Sequence, residues 1–475
     1  MPTLIIHEPS RFDRSNNTPF CSTAGEWFLR ELDRYDNGNR TVLSLDAFQR
    51  LGGFRCPDVA GFTHILAVGD KPRVATIGNR IPPGYAITKL NGARLLATFD
   101  PQVAHDFQHE DDDEDDGEDQ SNKDITATRH ANFRYWIQVH IDKLFNPRPI
   151  EPQPAFLVKP TLSPVTQWLL ELSNSFLYLD IETRGDFALH CIGIAGETGP
   201  IYCVPFWLYN GALAYEQKQL FAFWRALNIA ASRNTLVIHN SMFDLAVLCH
   251  QYRFIGARRV YDTMIAQHRI APEAEKSLAH CIAQHTEMPF HKDQFVHPSN
   301  QTQQDQLWQY NCRDVWAMRL IRREQVRLAE KFPGMLDSIN EGNKLVFPLL
   351  VNSLRGLAVN EARLQTEIDH ARRVCEQLYR ILHILVGYKI NAGSWQQLGV
   401  YLYDQMGYAV PFKSETGNRS TNVKALYSLL VKTANPAIKV ILKLRKAQKL
   451  YSSLNFKPYG GLSYDSNART SRTTQ

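Results

Sequence analysis

The sequence predicts a multidomain α/β protein that ends in a mainly helical region, and three observations carry that expectation. At 475 residues the chain exceeds a single core, because domains average roughly 150 residues. Between residues 175 and 252 the apolar pattern alternates between strand and helix periods, and from about 338 onward it is helical almost throughout. With 44% hydrophobic and 21% charged residues, the composition is that of globular proteins and excludes fibrous or wholly disordered architectures.

Residues 1–145 are the first expected domain. The start, Met1-Pro-Thr-Leu-Ile-Ile-His-Glu, has no basic region followed by an apolar core, and no run reaches the ~18 apolar residues that a bilayer span needs. An intracellular protein without membrane contact is expected, in the host cytoplasm if the source is viral. His109-Glu-Asp-Asp-Asp-Glu-Asp-Asp-Gly-Glu-Asp119 reads as a solvated acidic insertion, after which Phe133 to Phe145 resumes a helical pattern. The eight cysteines form no CxxC pair and are expected to be buried free thiols.

Six prolines between 147 and 164 mark 146–165 as an extended linker. The second domain, 166–335, is expected to run strand 175–182, strand 190–195, strand 201–205, helix 215–230, strand 235–239 and helix 241–252, followed by further helices. The third, 336–475, is mainly α, with Pro436 opening a long helix. The net charge of +5 is uneven: residues 411–475 hold twelve Lys or Arg against only Glu415 and Asp465, which suits a nucleic-acid partner.

Three segments carry candidate chemistry. Ser175-Phe-Leu-Tyr-Leu-Asp-Ile-Glu-Thr183 ends in carboxylates at i and i+2, so strand alternation puts Asp180 and Glu182 on one face. In Thr235 to Leu248 a strand turns into a helix with Asn240 at the turn and Asp244 in the first turn, where an acid also simply offsets the helix macrodipole. In Leu307 to Leu320, helical spacing stacks Tyr310 and Asp314 at i and i+4. Taken singly, each segment also reads as ordinary structure.

Together and in this order, they resemble the 3′→5′ exonuclease family named for its Asp-Glu-Asp-Asp set with a tyrosine. Residues 170–330 are similar to the ribonuclease H-like proofreading domain of family A DNA polymerases. Tyr261-Asp-Thr-Met264 also matches, at a helix-entry position outside the metal set. The four carboxylates offer only oxygen, the donor that Mg²⁺ or Mn²⁺ prefers, and two such ions serve both ends of an in-line phosphodiester displacement. The resemblance implies that Asp180 bridges both ions, Glu182 and Asp314 complete one site, and Asp244 holds the other mainly through water. It further implies that Tyr310 orients the attacking water, and that Thr183 and Asn240 contact the terminal nucleotide of a single-stranded 3′ end.

Downstream, Glu341 to Asn360, Ile390 to Leu398, Lys413 to Gly417 and Asn435 to Leu450 resemble the thumb of the same polymerases. Lys439, Lys443 and Lys446, at i, i+4 and i+7, form a basic stripe suited to the backbone of a primer-template duplex, or else an ordinary solvated face. Tyr464 to Gln475 resembles only the opening of the palm, so the expectation is a fragment, or a polymerase whose palm and fingers sit on a second polypeptide, with no DNA synthesis by this chain alone.

Upstream, Pro19 to Leu32, Ile65 to Gly69 and Leu95 to Pro101 resemble blocks of the uracil-DNA glycosylase superfamily. Ile6-His-Glu-Pro-Ser10 and Asp100-Pro101 depart from its Gly-Glu-x-Pro-Gly loop and catalytic His-Pro. A glycosylase-like α/β domain around a parallel sheet, unable to excise uracil, is expected, and such a fusion resembles phage polymerases. Two other readings compete: a non-catalytic DNA-holding module, and a stand-alone 3′→5′ exonuclease acting on RNA.

Overall fold

The computed structural model describes residues 2–9, 13–14, 18–51, 53–55, 61–78, 80–88, 93–101, 134–147, 149, 151–184, 188–272, 274–358, 360–412, 419–454 and 469–470. The acidic run 109–119, the 413–417 segment and most of 464–475 lie outside them. The chain divides into two compact units, Met1–Val351 and Asn352–Gln475.

Three apolar runs near the N-terminus, Leu4-Ile-Ile6, Ile65-Leu-Ala67 and Leu95-Leu-Ala97, are fully buried, as strands of a parallel sheet covered on both faces must be. The strands are β1 (Thr3–His7), β2 (Arg40–Ser44), β3 (His64–Val68), β4 (Ala86–Thr88) and β5 (Arg94–Thr98), in the order β2-β1-β3-β5-β4, parallel except for β4. Alternation splits their side chains between two faces. Ile5, Leu66 and Leu96 pack with Phe28 and Leu32 of α1 (Thr23–Asp36), whereas Leu4, Ile6, Ile65 and Leu95 pack with Phe48 of α2 (Leu45–Arg50). A third helix, α3 (134–145), adds Ile137, Ile141 and Leu144 to the first face.

The second sheet comprises β6 (Phe156–Val158), β7 (Phe176–Thr183), β8 (Leu189–Ala195), β9 (Ile201–Pro205), β10 (Thr235–Ile238) and β11 (Arg259–Asp262), in the order β11-β10-β7-β8-β9-β6. The proline-rich stretch contributes to it directly: β6 is an edge strand parallel to β9, and α4 (Leu162–Glu171) starts inside the stretch. Pro164 falls in the first turn of α4, where an N–H has no intrahelical acceptor to lose. The helix α5 (Gln217–Arg233) is opened by a reciprocal capping box between Glu216 and Gln219. It is followed by α6 (Ser241–Tyr252), α7 (Thr263–Ile270), α8 (Leu278–His285) and the 29-residue α9 (Gln301–Ala329).

Helix α3, packed on the first sheet, meets α8 through buried polar contacts. Lys143 on α3, 6% exposed, donates to Gly84 O at 3.0 Å, Ala283 O at 2.7 Å and Thr286 O at 2.7 Å, while His140 Nε2 lies 2.9 Å from Gln284 Oε1. Lys143→Met is expected to leave three carbonyls without this buried donor and to destabilise the unit by about 3 kcal/mol. Denaturant unfolding would measure it, and a change below about 0.5 kcal/mol would remove the lysine from the account of this junction.

In the second unit, α10 (Glu361–Val386), α11 (Val423–Thr433) and α12 (Pro436–Leu454) bury Leu382, Leu426, Leu429, Ile438, Ile441 and Leu444 in one core. Asn360 and Asn422 cap α10 and α11 through their side chains, and α12 opens on Pro436. Among the described residues, no helix is long and apolar enough to cross a membrane, and the cysteines are free thiols.

Candidate active site

The strand β7 lies inside the second sheet between β10 and β8, so its C-terminal acids are held on a rigid element. Its alternation sends Leu177, Leu179 and Ile181 to one face and Asp180 and Glu182 to the other. In the antiparallel register, Gly193 of β8 stands opposite Asp180 and Cys191 opposite Glu182, with an irregularity between Glu182 and Thr183. Such breaks of register are common beside functional sites, where they re-aim a side chain.

Gly193 decides how closely α9 approaches. A Cβ there would lie 2.5 Å from Asn311 Oδ1 and 2.7 Å from Val315 Cγ2. With no side chain in the way, α9 lies against the sheet, and Asn311 Nδ2 donates to Asp180 Oδ2 at 2.7 Å. The same approach brings in Tyr310 and Asp314 from neighbouring turns of that helix face. Asp180, Glu182 and Asp314 then each offer a carboxylate oxygen, all within 4.8 Å of one another.

Asp244, 4% exposed in the first turn of α6, is not a member of that trio. Its Oδ1 accepts the backbone N–H of Ile181 at 3.1 Å, which ties the helix start to β7. Asn240 precedes α6 in the left-handed region, at φ 60°, with an exposed side chain. The turn is held by buried Asp262, whose oxygens accept from Asn240 N at 3.1 Å, Ser241 N at 2.7 Å and Ser241 Oγ at 2.7 Å. Asp262 also caps α7, the helix-entry position read from Tyr261-Asp-Thr-Met264. Thr183 ends β7 half-buried. Lys439, Lys443 and Lys446 are exposed on α12, opposite buried Ile438, Ile441 and Leu444 of the second unit.

Tyr310 is 5% exposed, with its ring 5.8 Å from that of His291 and 5.5 Å from that of Phe295. Burial and the charges of Asp314, Glu182 and Asp180 push its hydroxyl well above the ordinary tyrosine range, so it keeps its proton. The acids themselves are strongly perturbed. Burial first, then the Asp314 charge, pushes Asp180 up to about 8, against the pull of Lys292 and the Asn311 hydrogen bond. Burial and the Asp180 charge hold both Glu182 and Asp244 well above the usual carboxylate range. Asp314 moves the other way: burial opposes its ionisation, but Lys292 and His291 outweigh that and hold it below its usual value.

Acids crowded in a desolvated site repel one another, and a bound cation relieves that cost. The donor set, carboxylate oxygens alone, fits a hard divalent ion such as Mg²⁺ or Mn²⁺ and suits soft or imidazole-preferring metals poorly. Sequence reasoning missed Asn311, Gly193, His291 and Lys292. Asn311 had a local signal, since it directly follows Tyr310 and its helix turns that position toward the sheet, and so did Gly193, because an isolated glycine inside a strand marks a close approach. His291 and Lys292 lie in an irregular segment before α9 that carries no periodicity.

No protein-family model matches the chain. It is similar to DNA polymerase I of Pseudomonas aeruginosa, 26% identical over 312 residues that cover 60% of this chain and 33% of that protein. The chain thus spans about a third of the length of this curated relative. Among solved structures, the POL domain of Pol1 from M. smegmatis in complex with DNA primer-template and dNTP aligns with a TM-score of 0.44 at 17% identity, covering 63% of this chain and 49% of that one. The sequence likeness supports a protein related to family A DNA polymerases.

Proposed function

We propose that this chain hydrolyses 3′-terminal phosphodiesters of DNA, acting as the proofreading exonuclease portion of a polymerase-related protein. The observation that carries the reading is the convergence of Asp180, Glu182 and Asp314 on one oxygen-lined point, with the Tyr310 hydroxyl beside it. A pair of divalent ions bound there would activate water and stabilise charge on the phosphoryl group and the departing 3′ oxygen. Asp180, Glu182, Asp244 and Asp314 would be the ion ligands, Asp244 mainly through water while its Oδ1 accepts the Ile181 N–H.

The chain's own residues do the rest. Asn311 fixes the rotamer of Asp180, and the buried helix α9 fixes Tyr310 and Asp314 relative to β7. Tyr310 holds its proton, so it can donate one hydrogen bond and accept another, which suits it to orienting a water for in-line attack. Thr183 and Asn240, at the rim of the two segments, are the proposed contacts of the terminal nucleotide. Lys439, Lys443 and Lys446 are proposed to meet the duplex backbone, with the salt dependence that phosphate contacts bring. Residues 1–145 are read as a glycosylase-like domain without glycosylase chemistry.

Digestion of 3′-labelled single-stranded DNA with Mg²⁺ or Mn²⁺, beside 5′-labelled DNA, RNA and chelator controls, tests this reading. Release of label as mononucleotide from the 3′ end alone is expected; chelator-resistant cleavage or internal cuts would reject it. Tyr310→Phe should digest roughly 10²-fold more slowly at unchanged KM, the usual size for one water-orienting group. A wild-type rate in that variant would remove Tyr310 from the mechanism.

A further inference from the structure

Asp314 is more heavily engaged than a free ligand should be. Its Oδ1 lies 2.8 Å from His291 Nε2, and its Oδ2 accepts from Lys292 Nζ at 2.6 Å. Lys292 Nζ also stands 4.4 Å from the centre of the Tyr310 ring, so the ammonium is lodged between the two α9 side chains that face the cluster. Its charge acts beyond its direct partner, because it also lowers the proton affinity of Asp180 and Glu182. Lys292 comes from the short turn Lys292–Gln294, separate from the strand and helices that carry the acids, so moving it would not dismantle them.

We propose that Lys292 is the resident counter-cation of the carboxylate cluster: its ammonium takes the place at Asp314 Oδ2 that a divalent ion needs, and must leave when the ion binds. The inference rests on reading these carboxylates as a divalent-ion site. A dication on the same oxygen and an ammonium 2.6 Å from it would repel across a short, desolvated gap, so one displaces the other. Lys292 is thus a positioning residue, which holds Asp314 in place without the ion and sets how tightly the ion binds. A purely structural lysine would act in the opposite sense, since its loss would loosen the site and weaken ion binding.

The test is calorimetric titration of the full chain with Mn²⁺. In Lys292→Gln the neutral side chain vacates the position without adding bulk, and Mn²⁺ should bind at least tenfold tighter than in wild type. In Lys292→Arg, which keeps the charge, the affinity should stay within about threefold of wild type. Equal or weaker binding by the folded Gln variant would overturn the proposal. Should that variant fail to fold, wild type suffices: labelling of Lys292 by an amine-reactive acylating reagent, read by mass spectrometry, should rise when Mn²⁺ saturates the chain. Unchanged or reduced labelling would overturn the proposal. Both readouts are independent of catalysis, so a chain that binds Mn²⁺ as expected yet digests no DNA sinks the nuclease reading alone.

Discussion

Asp180→Ala should lower 3′-end digestion at least 10³-fold while leaving the fold intact. Asp180 is one of the three converging carboxylates, and losing it removes several kcal/mol of charge stabilisation in the transition state, with each 1.4 kcal/mol worth about tenfold in rate. The same change should make the ion-free protein more stable at alkaline pH. The folded-state carboxyl titrates near 8 against an ordinary 3.8, so between those values the folded chain holds a proton that the unfolded chain has released. Stability therefore falls as pH rises from about 4 toward 8, and a chain without this carboxyl escapes that loss. At pH 8 with chelator, Asp180→Ala should resist denaturant better than wild type, the gap closing by pH 4. Unimpaired digestion would sink the catalytic assignment, and a variant destabilised equally at both pH values would sink the electrostatic one.

Gly193→Ala is expected to have the second-largest effect, although the residue bears no functional group. Its new Cβ would enter the space of Asn311 Oδ1 and Val315 Cγ2, and Val315 is a β-branched side chain in a helix with little rotamer freedom. The helix must then lift, at a cost of about 1–3 kcal/mol for overpacking. Asp314 and Tyr310 travel with it, and a misplacement of about 1 Å can cost roughly 10²-fold in rate. Adding Val315→Ala to Gly193→Ala removes one of the two clashes and should recover part of the stability, while the contact with Asn311 Oδ1 keeps digestion impaired. Full activity in the single variant would show that the approach of α9 to β8 does not set the geometry.

How far the sequence went follows from how local each signal was. Strand and helix periods put Phe176–Thr183, Leu189–Ala195, Ile201–Pro205 and Ser241–Tyr252 within a residue or so of their expected spans, because burial of one face is written into spacing along the chain. The proline-rich stretch was less legible. Prolines argue against a central strand but permit an edge, and only β9 running alongside makes Phe156–Val158 a strand.

For the candidate site, the sequence by itself determined which acids share a face: Asp180 with Glu182 by the two-residue pleat, and Tyr310 with Asp314 by the helical turn. Neither period says which other face comes opposite. Only the tertiary structure decided that Gly193 leaves room for Asn311, that Asp244 accepts the backbone N–H of Ile181, that Lys143 of α3 reaches carbonyls at α8, and that Lys292 is lodged against Asp314. Periodicity encodes the direction of a side chain relative to its own backbone, whereas contacts between distant segments depend on how whole elements pack.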